Sequence, residues 1–371
     1  MSTYTWLFLA IFLFNCSDPA VDIQPDTIKQ PGLKDVFARD FTIGAAVNAN
    51  QIQEKDIPAK SLIPAQFNSL TAENAMKCEH IHPAWSEYNF TLPDMLAAYA
   101  EKNNMELIGH TLVWHSQLAP FARQIQSRDS MDLFLKNHIT TIASRYNGKV
   151  DGWDVVNEAL EEDGSLRKSI FYNLMGESYI LKAFLYAQEA APQSELYYND
   201  YNIEQPAKRA GAIALIKKLR ENGARVDGVG IQGHWSIKTL DLKAIEESII
   251  EYHAMGLKVM FTELDLTVLP NPWDLKGAEV DQNYEGSPFM NPYPQGLPAA
   301  VSAELAEKYK ALFALFLKHQ DKISRVTFWG VSDGNSWLNN WPIRNRTNYP
   351  LLFDRNYQPK PAYYSILSLK K

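Results

Sequence analysis

Two glutamates, each following a short apolar run, are the residues of this chain best suited to chemistry. Glu158 follows the run WDVVN at residues 153–157, and Glu263 follows VMFT at residues 259–262. An unpaired buried carboxylate is costly, so a strand has no structural use for a charge at either place. Two such carboxylates favour a pair in which one acts as acid and base and the other as nucleophile on an acetal.

The elements that must position these glutamates alternate along the chain. Eight apolar, β-rich runs predict strands at residues 41–47, 69–76, 106–114, 150–156, 195–199, 226–233, 258–263 and 325–331. Amphipathic runs between them predict helices at residues 131–146, 170–190, 206–222, 242–255 and 303–319. The alternation predicts an α/β fold, a single (β/α)8 TIM barrel with eight parallel strands. A doubly wound open sheet would need an early glycine-rich phosphate turn, which the sequence lacks.

Polar and aromatic side chains concentrate where these predicted strands end. In chain order they are Glu73, Asn74, Lys77, His110, Trp114, His115, Gln117, Asn157, Glu158, Asn199, Asp200, Tyr201, Gln232, His234, Glu263 and Trp329. Barrel enzymes hold their active sites at the carboxyl ends of the strands. We therefore expect these side chains to surround one cleft, with the long Pro- and Asn-containing loop at residues 270–298 bordering it.

Composition excludes several other functions. The net charge of -7 argues against nucleic acid as a partner, because neutralising phosphates requires basic clusters. His80, His82, His110 and His115 do not form a ligand set of defined geometry, so neither a metal site nor any cofactor is predicted. Asp265 and Asp333 are expected to be structural residues of the rim, and Cys78 an inert buried thiol.

The first 32 residues have the pattern of an export signal. Residues 6–14 are almost wholly apolar and lead to Cys16, after which a polar, proline-containing stretch begins. Such a run is too short to span a bilayer but is typical of a signal peptide. We expect a signal peptide at residues 1–15 of the lipoprotein type, a lipid on Cys16, a polar tether at 16–32 and a catalytic domain at 33–371. Residues 1–5 contain no Lys or Arg, so the alternative of a periplasmic or secreted protein without a lipid anchor stays open.

A series of short motifs through the whole predicted barrel resembles glycoside hydrolase family ten. The motifs are SLTAENAMK at 69–77, GHTLVWHSQ at 109–117, WDVVNE at 153–158, YNDYN at 198–202, GIQGH at 230–234, TELD at 262–265, TFWGVSD at 327–333, SWL at 336–338, LLFD at 351–354 and KPAYY at 360–364. The resemblance implies a retaining endo-β-1,4-xylanase that hydrolyses internal bonds of xylan. The sequence departs from the family pattern at residues 78–83, CEHIHP, where contacts to the glycone side of the substrate are expected to differ.

The resemblance also implies a role for individual residues. Glu158 takes the position of the acid/base and Glu263 that of the nucleophile, with His234 orienting the nucleophile and Asn157 donating to the sugar 2-hydroxyl. The implied sugar-binding residues are Glu73, Asn74, Lys77, His110, Trp114, Gln117, Tyr201, Gln232, Trp329 and Trp337. An ionised Glu263 would favour the protonated form of Glu158. Loss of that charge in a covalent intermediate would then let Glu158 act as a base.

Two other functions stay open from the sequence. A β-1,4-glucanase or mixed-specificity glycosidase would use the same site, and would differ in the room left for a sugar hydroxymethyl group near Trp329 and Trp337. A surface polysaccharide-binding protein without turnover is the third hypothesis, against which the presence of both glutamates, Asn157 and His234 argues. The expected partners are xylan and xylo-oligosaccharides. The protein is expected to be a monomer attached by its lipid anchor to a bacterial cell envelope.

Overall fold

Parallel strands form the centre of the molecule, in a computed structural model that describes Met1 and residues 31–272 and 285–370. The strands in these ranges are β1 (Thr42–Val47), β2 (Ser69–Ala72), β3 (Glu106–Trp114), β4 (Gly152–Asn157), β5 (Glu195–Asp200), β6 (Gly228–Ile231), β7 (His234–Ser236), β8 (Lys258–Thr267) and β9 (Ile323–Phe328). They pair in the order β6-β5-β4-β3-β2-β1-β9-β8, and β6 also pairs with β8. The ring of eight parallel strands confirms the predicted TIM barrel.

The seventh barrel strand is longer than the sequence indicated. The prediction placed Glu263 at its end, whereas β8 continues to Thr267 and Glu263 lies inside it. The additional residues of β8 pair with β7, a short strand that was not predicted. In this pairing His234 lies opposite Asp265. The nucleophile candidate is therefore held by hydrogen-bonded backbone on both sides along the strand.

Helices connect the strands and cover the barrel. They are α1 (Leu33–Val36), α2 (Ala49–Ile52), α3 (Ile57–Gln66), α4 (Cys78–Ile81), α5 (Thr91–Lys102), α6 (Pro120–Arg123), α7 (Arg128–Arg145), α8 (Ile170–Met175), α9 (Ser178–Ala190), α10 (Pro206–Glu221), α11 (Leu242–Ala254), α12 (Ala299–Lys318) and α13 (Pro361–Leu367). The predicted helix at 170–190 is two helices, because Gly176 adopts φ 64 and ends α8. Short 3-10 turns occupy Asp333–Asn335, Trp337–Asn339 and Ser368–Lys370.

Local signals explain where the longer helices begin. The Ser127 hydroxyl accepts a hydrogen bond from the Ser130 N–H (3.2 Å) at the start of α7, and the Asp241 carboxylate accepts from the Lys243 N–H (3.0 Å) at the start of α11. Pro206 begins α10, where a missing N–H costs nothing. These caps fix the direction in which the chain leaves each strand.

The core fills the barrel and the layer between strands and helices. β4 is buried along its whole length, and Trp153 within it has no exposed surface. A Cβ atom on Gly109 of the neighbouring strand would lie 2.1 Å from the Trp153 ring, so this indole fits only against a glycine. Burial of a side chain of this size stabilises the fold by about 2–3 kcal/mol. It also fixes the strand that ends directly before Glu158.

Several predictions fall wholly or partly outside the described residues. Residues 2–30 lie outside the description, and they include the predicted signal peptide at 1–15 except Met1, Cys16, and the tether at 16–32 except its last two residues. Within the 270–298 loop, residues 273–284 also lie outside. Its remaining part is bonded to the chain between β9 and α13, since the Asn291 side chain accepts from the Thr347 N–H (2.9 Å) and the Tyr293 carbonyl accepts from the Tyr349 hydroxyl (2.7 Å). Over the described ranges, no helix has the length and apolarity to cross a bilayer.

Candidate active site

Glu158 stands at the point where β4 becomes a loop. It is the first residue after the strand, and its backbone has φ 57, a left-handed conformation that is uncommon for a residue with a Cβ atom. Its Oε2 atom accepts from Trp114 Nε1 (2.8 Å), and its Oε1 atom accepts from Gln232 Nε2 (2.9 Å) and Asn157 Nδ2 (3.3 Å). The three donors are all neutral, so they orient the half-buried carboxyl without adding a charge beside it.

Glu263 is almost fully buried, with 5% of its surface exposed. Its Oε1 atom accepts from Asn199 Nδ2 (2.9 Å), and its Oε2 atom lies 3.1 Å from His234 Nε2. Burial alone would raise the pKa of this carboxyl. The hydrogen bond from His234 and the nearby His110 and Lys77 outweigh burial and lower the pKa of Glu263. The side chain is therefore ionised at neutral pH, the form in which a carboxylate attacks.

His234 links Glu263 to a second buried carboxylate. Its Nδ1 atom is 3.0 Å from Asp265 Oδ1, and Asp265 has no exposed surface. Burial would lower the pKa of His234, but the two carboxylates outweigh it and raise the pKa of His234 to about 10. The imidazole is thus protonated at neutral pH and donates from both nitrogens. Trp337 Nε1 donates to the other Asp265 oxygen (2.8 Å) and completes this chain of contacts.

Side-chain amides connect the two glutamates. Asn199 Nδ2 donates to Glu263 and also to Asn157 Oδ1 (2.9 Å). Gln232 Nε2 donates to the same Asn157 oxygen (3.2 Å) and to Glu158. The Asn157 oxygen accepts twice from within the protein, and one hydrogen of its NH2 group points to Glu158. The second hydrogen of that NH2 group is left to donate to a substrate.

Lys77 brings a cation to the same side of the barrel as Glu263. It is only 6% exposed, its Nζ atom donates to Asn74 Oδ1 (3.2 Å), and it lies 4.9 Å from the centre of the Trp114 ring and 5.8 Å from that of Trp329. Burial lowers the pKa of Lys77, an effect opposed by neighbouring carboxylates of which Glu263 is the strongest. The buried ammonium is a hydrogen-bond donor to which a sugar hydroxyl can bind.

Asn74 is shared between Lys77 and Gln117. Gln117 Nε2 donates to Asn74 Oδ1 (3.2 Å) and to Glu79 Oε1 (3.0 Å). Next to them, burial raises the pKa of Glu73, although Lys77 and the Asn74 side chain act in the opposite direction. This cluster carries both hydrogen-bond donors and hydrogen-bond acceptors, as recognition of sugar hydroxyls requires.

Two tryptophans and a histidine line the wall beside the nucleophile candidate. His110 is buried, its Nδ1 atom lies 2.9 Å from Asp154 Oδ2, and its ring meets that of Trp329 edge to face with centroids 5.2 Å apart. Trp337 lies with its ring centre 4.8 Å from that of His234. Both indoles are held by the residues that surround Glu263, so their faces have fixed directions.

Tyr201 lies on the other side, next to the loop that follows Glu158. Its hydroxyl accepts from Arg167 Nη2 (2.8 Å), and Lys208 Nζ lies 3.5 Å from the centre of its ring. Lys208 has no exposed surface and pairs with Asp200 (3.0 Å). The ring of Tyr201 is thus held at its edge and on one face.

All fourteen predicted catalytic and sugar-binding residues lie at the carboxyl end of the barrel. The predicted lipidation site, Cys16, lies outside the described residues. Sequence reasoning assigned no site role to Asp265, Asn199, Asp154 or Arg167. Asp265 had a usable signal, because a residue two places after Glu263 in a strand points to the same side. Over residues 31–272 and 285–370, no three His, Cys, Asp or Glu side chains form a group that could hold a metal ion.

Known proteins are similar to this chain in sequence and architecture. Residues 32–369 match the family described as Glycosyl hydrolase family 10. Endo-1,4-beta-xylanase A of Xylanibacter ruminicola is 43% identical over 346 residues, which are 92% of this chain and 94% of that protein. A GH10 endoxylanase structure from a sugarcane soil metagenome has a TM-score of 0.87 and 42% identity, covering 92% of this chain and 100% of that one. A mutant solved in complex with xylotriose has a TM-score of 0.81 and 34% identity, covering 91% and 99%.

Proposed function

The chain belongs to glycosyl hydrolase family 10 and is an endo-1,4-β-xylanase, and we propose that it cleaves xylan by double displacement with Glu263 as nucleophile and Glu158 as acid/base. The observation that carries this assignment is the contrast between the two carboxyls. Glu263 is buried, ionised and bound to a protonated imidazole, whereas Glu158 is half-buried among neutral donors. Retaining glycosidases need one carboxyl of each kind.

In the first step, a carboxylate oxygen of Glu263 forms a bond to the anomeric carbon. The bond between that carbon and the glycosidic oxygen breaks, and the proton of Glu158 moves to the departing oxygen. Asn157 donates from its amide to the 2-hydroxyl of the same sugar, a contact that strengthens in the transition state. The product of this step is an ester between sugar and Glu263.

In the second step, water hydrolyses that ester. Glu158, now ionised, takes a proton from the water as its oxygen bonds to the anomeric carbon, and Glu263 leaves as a carboxylate. His234, which is also held by Asp265, is placed to donate a hydrogen bond to the leaving carboxylate. Two inversions at one carbon retain the anomeric configuration.

Sugar units on either side of the cleaved bond are bound by different residues. On the side of the nucleophile, Lys77, Asn74, Gln117, Glu73 and His110 bind hydroxyl groups, and Trp329 and Trp337 stack on the ring faces. On the leaving-group side, Tyr201 offers a ring held by Arg167 and Lys208. Xylose lacks the hydroxymethyl group of glucose, and we propose that the space next to Trp329 and Trp337 favours xylose over glucose.

Time-resolved proton NMR of the purified protein acting on xylo-oligosaccharides, with cello-oligosaccharides in parallel, tests this function. We expect faster cleavage of the xylose series, with the β-anomer of the product appearing before mutarotation. The α-anomer appearing first would refute the double displacement. Faster cleavage of the glucose series would make the protein a glucanase, and binding of both series without cleavage would make it a polysaccharide-binding protein.

For the N-terminal segment, we propose export as a monomeric lipoprotein anchored to the cell envelope at Cys16, with residues 16–32 as tether. Support comes from the apolar run at 6–14, which ends two residues before this cysteine. Expression in a bacterial host supplied with a labelled palmitate tests it, with Cys16→Ala as the control. We expect label on the wild type only. Equal label on Cys16→Ala, or an unlabelled wild type found in the medium, would contradict lipidation.

A further inference from the structure

Arg167 lies beside Glu158, although nine residues separate them in the sequence. The loop between them folds back on itself, with the Glu161 N–H donating to the Ser165 carbonyl (2.8 Å) and the Arg167 N–H donating to the Ala159 carbonyl (2.8 Å). The Arg167 side chain is 18% exposed. Its guanidinium therefore lies under the loop and faces the site more than the solvent.

The guanidinium of Arg167 makes four contacts. Its Nε atom donates to the Glu158 carbonyl (3.0 Å), and its Nη2 atom donates to the Leu160 carbonyl (2.9 Å) and the Tyr201 hydroxyl (2.8 Å). Its Nη1 atom lies 3.2 Å from Glu161 Oε2. Because a guanidinium is planar and rigid, these contacts fix the Glu158 carbonyl and the Tyr201 hydroxyl relative to each other.

The backbone of Glu158 needs such support. Its left-handed conformation, φ 57, is unfavourable for a residue with a side chain and persists only where the surroundings hold it. The Glu158 N–H donates to the Asn199 carbonyl (2.9 Å), and its own carbonyl accepts from Arg167. With both peptide groups fixed, the direction of the carboxyl is set by the backbone as well as by its own hydrogen bonds.

Tyr201 is held from its other side by a buried ion pair. Lys208 Nζ lies over the Tyr201 ring, and Lys208 is paired with Asp200, which also accepts from the Tyr201 N–H (2.9 Å). Neither Lys208 nor Asp200 is exposed. Arg167 is thus the side chain that links the Tyr201 hydroxyl to the backbone carbonyl of Glu158.

We propose that Arg167 is a positioning residue that holds Glu158 and Tyr201 as one unit. A sugar bound against Tyr201 on the leaving-group side is then presented to Glu158 at the distance that proton transfer requires. This inference rests on the proposed role of Glu158 as acid/base and adds to it a residue that touches neither substrate nor reacting atoms.

The test compares leaving groups of different quality in Arg167→Met. The substrates are aryl β-xylobiosides that range from phenyl, which needs protonation, to 2,4-dinitrophenyl, which does not. We expect kcat/KM for the phenyl substrate to fall by about 10- to 100-fold, a part of the roughly 10²- to 10⁴-fold that a general acid contributes, with little change for the dinitrophenyl substrate. The ratio of the two values does not depend on how much of the variant is folded.

Three further variants separate positioning from structure. Glu158→Gln sets the full size of the leaving-group effect, and Tyr201→Phe removes only the hydroxyl contact and should raise KM for xylotetraose. Arg225→Met is the matched control, because Arg225 Nη2 also holds a backbone carbonyl, that of Ser194 (2.8 Å), ahead of β5 at the other end of the barrel. We expect no leaving-group effect from Arg225→Met.

An equal loss for every leaving group in Arg167→Met, as in Arg225→Met, would overturn the inference while a graded loss in Glu158→Gln left the proposed function standing. A Glu158→Gln variant without a graded loss would overturn the acid/base assignment and this inference with it. Partial recovery of the ratio in Arg167→Lys, which keeps one donor, is the result that positioning predicts.

Discussion

The two glutamates of the site are held in opposite ways. Glu263 lies inside a paired strand, is buried, and receives a hydrogen bond from a protonated histidine. Glu158 lies at the start of a loop, is half-buried, and receives hydrogen bonds from an indole and two amides. A group that must stay ionised is stabilised by charge, whereas a group that must give and take a proton is stabilised by neutral donors.

The backbone is also held differently at the two glutamates. The strand around Glu263 leaves its side chain one direction, and neighbouring strands on both sides maintain it. Glu158 is left-handed and depends on contacts from Asn199 and Arg167. We therefore expect substitutions near Glu263 to change charge and pH dependence, and substitutions near Glu158 to change proton delivery.

The largest effect is expected from Glu263→Ala. Without the nucleophile no covalent intermediate forms, and kcat on xylo-oligosaccharides should fall on the order of 10⁴- to 10⁶-fold, the scale seen when a covalent nucleophile is removed. Added azide should restore turnover by attacking from the empty side, giving an α-xylosyl azide by one inversion. Proton NMR of the product identifies the anomer. A β-azide would assign the other carboxylate to the nucleophile.

Glu158→Ala is expected to cost less. We expect kcat/KM to fall by about 10²- to 10⁴-fold on xylo-oligosaccharides, since a general acid contributes that much, and far less on 2,4-dinitrophenyl xylobioside. Here azide should attack the intermediate on Glu263 and give the β-azide, with net retention. The two variants thus act as controls for each other. The same azide anomer from both would contradict the division of roles.

Asp265→Asn should weaken the charge that distinguishes the Glu263 side. Asp265 is one of two carboxylates that raise the pKa of His234 to about 10, so its loss lowers that pKa. His234 would then lose its proton at a lower pH, which NMR titration of its imidazole measures, and kcat should fall by up to about 10²-fold through misplacement of Glu263. Trp337→Phe keeps both carboxylates and is the control. An unchanged His234 titration in Asp265→Asn would contradict the assigned role.

The smallest effect concerns stability and lies away from both glutamates. His82 Nδ1 and His138 Nδ1 are 2.9 Å apart in the core, and burial lowers the pKa of both, that of His138 to about 3. Both are neutral in the folded state, while the unfolded chain binds protons below about pH 6.5. The stability that these neutral histidines contribute is therefore complete above that pH. Below it, the free energy of unfolding falls by up to about 1.4 kcal/mol per pH unit and per histidine.

His138→Gln should make this acid decline less steep. Urea unfolding of the wild type and the variant at about pH 5 and about pH 7.5 measures it. The result also sharpens the comparison of the two glutamates, because it separates loss of activity by unfolding from loss by titration within the site. Equal declines in the two proteins would show that the pair does not bind protons on unfolding.

The sequence was sufficient for the barrel and for most of the residues at its carboxyl end. Apolar runs such as WDVVN are long enough to be recognised as strands, and strand ends in a parallel barrel meet at one face. The predicted end of the seventh barrel strand was wrong because Glu263 and Asp265 interrupt the apolar run. Only the pairing with β7 shows that the strand continues. Charges inside a strand look like a strand end until their partners are known.

Contacts between distant positions could not be predicted. His110 meets Asp154 because β3 and β4 pair in a register that places them opposite each other, and a single sequence does not contain that register. Arg167 reaches Glu158 because the loop between them closes on itself. In both cases the residue types were visible, but the geometry that joins them is a property of the fold.

A mechanism-based label tests most directly whether Glu263 is the nucleophile. The protein is treated with 2,4-dinitrophenyl 2-deoxy-2-fluoro-β-xylobioside, which reacts quickly but yields a slowly hydrolysed ester, and the labelled peptide is found by mass spectrometry after digestion. We expect one label, on Glu263, with activity lost as the label accumulates. A label on Glu158, or continued rapid turnover without any label, would contradict it.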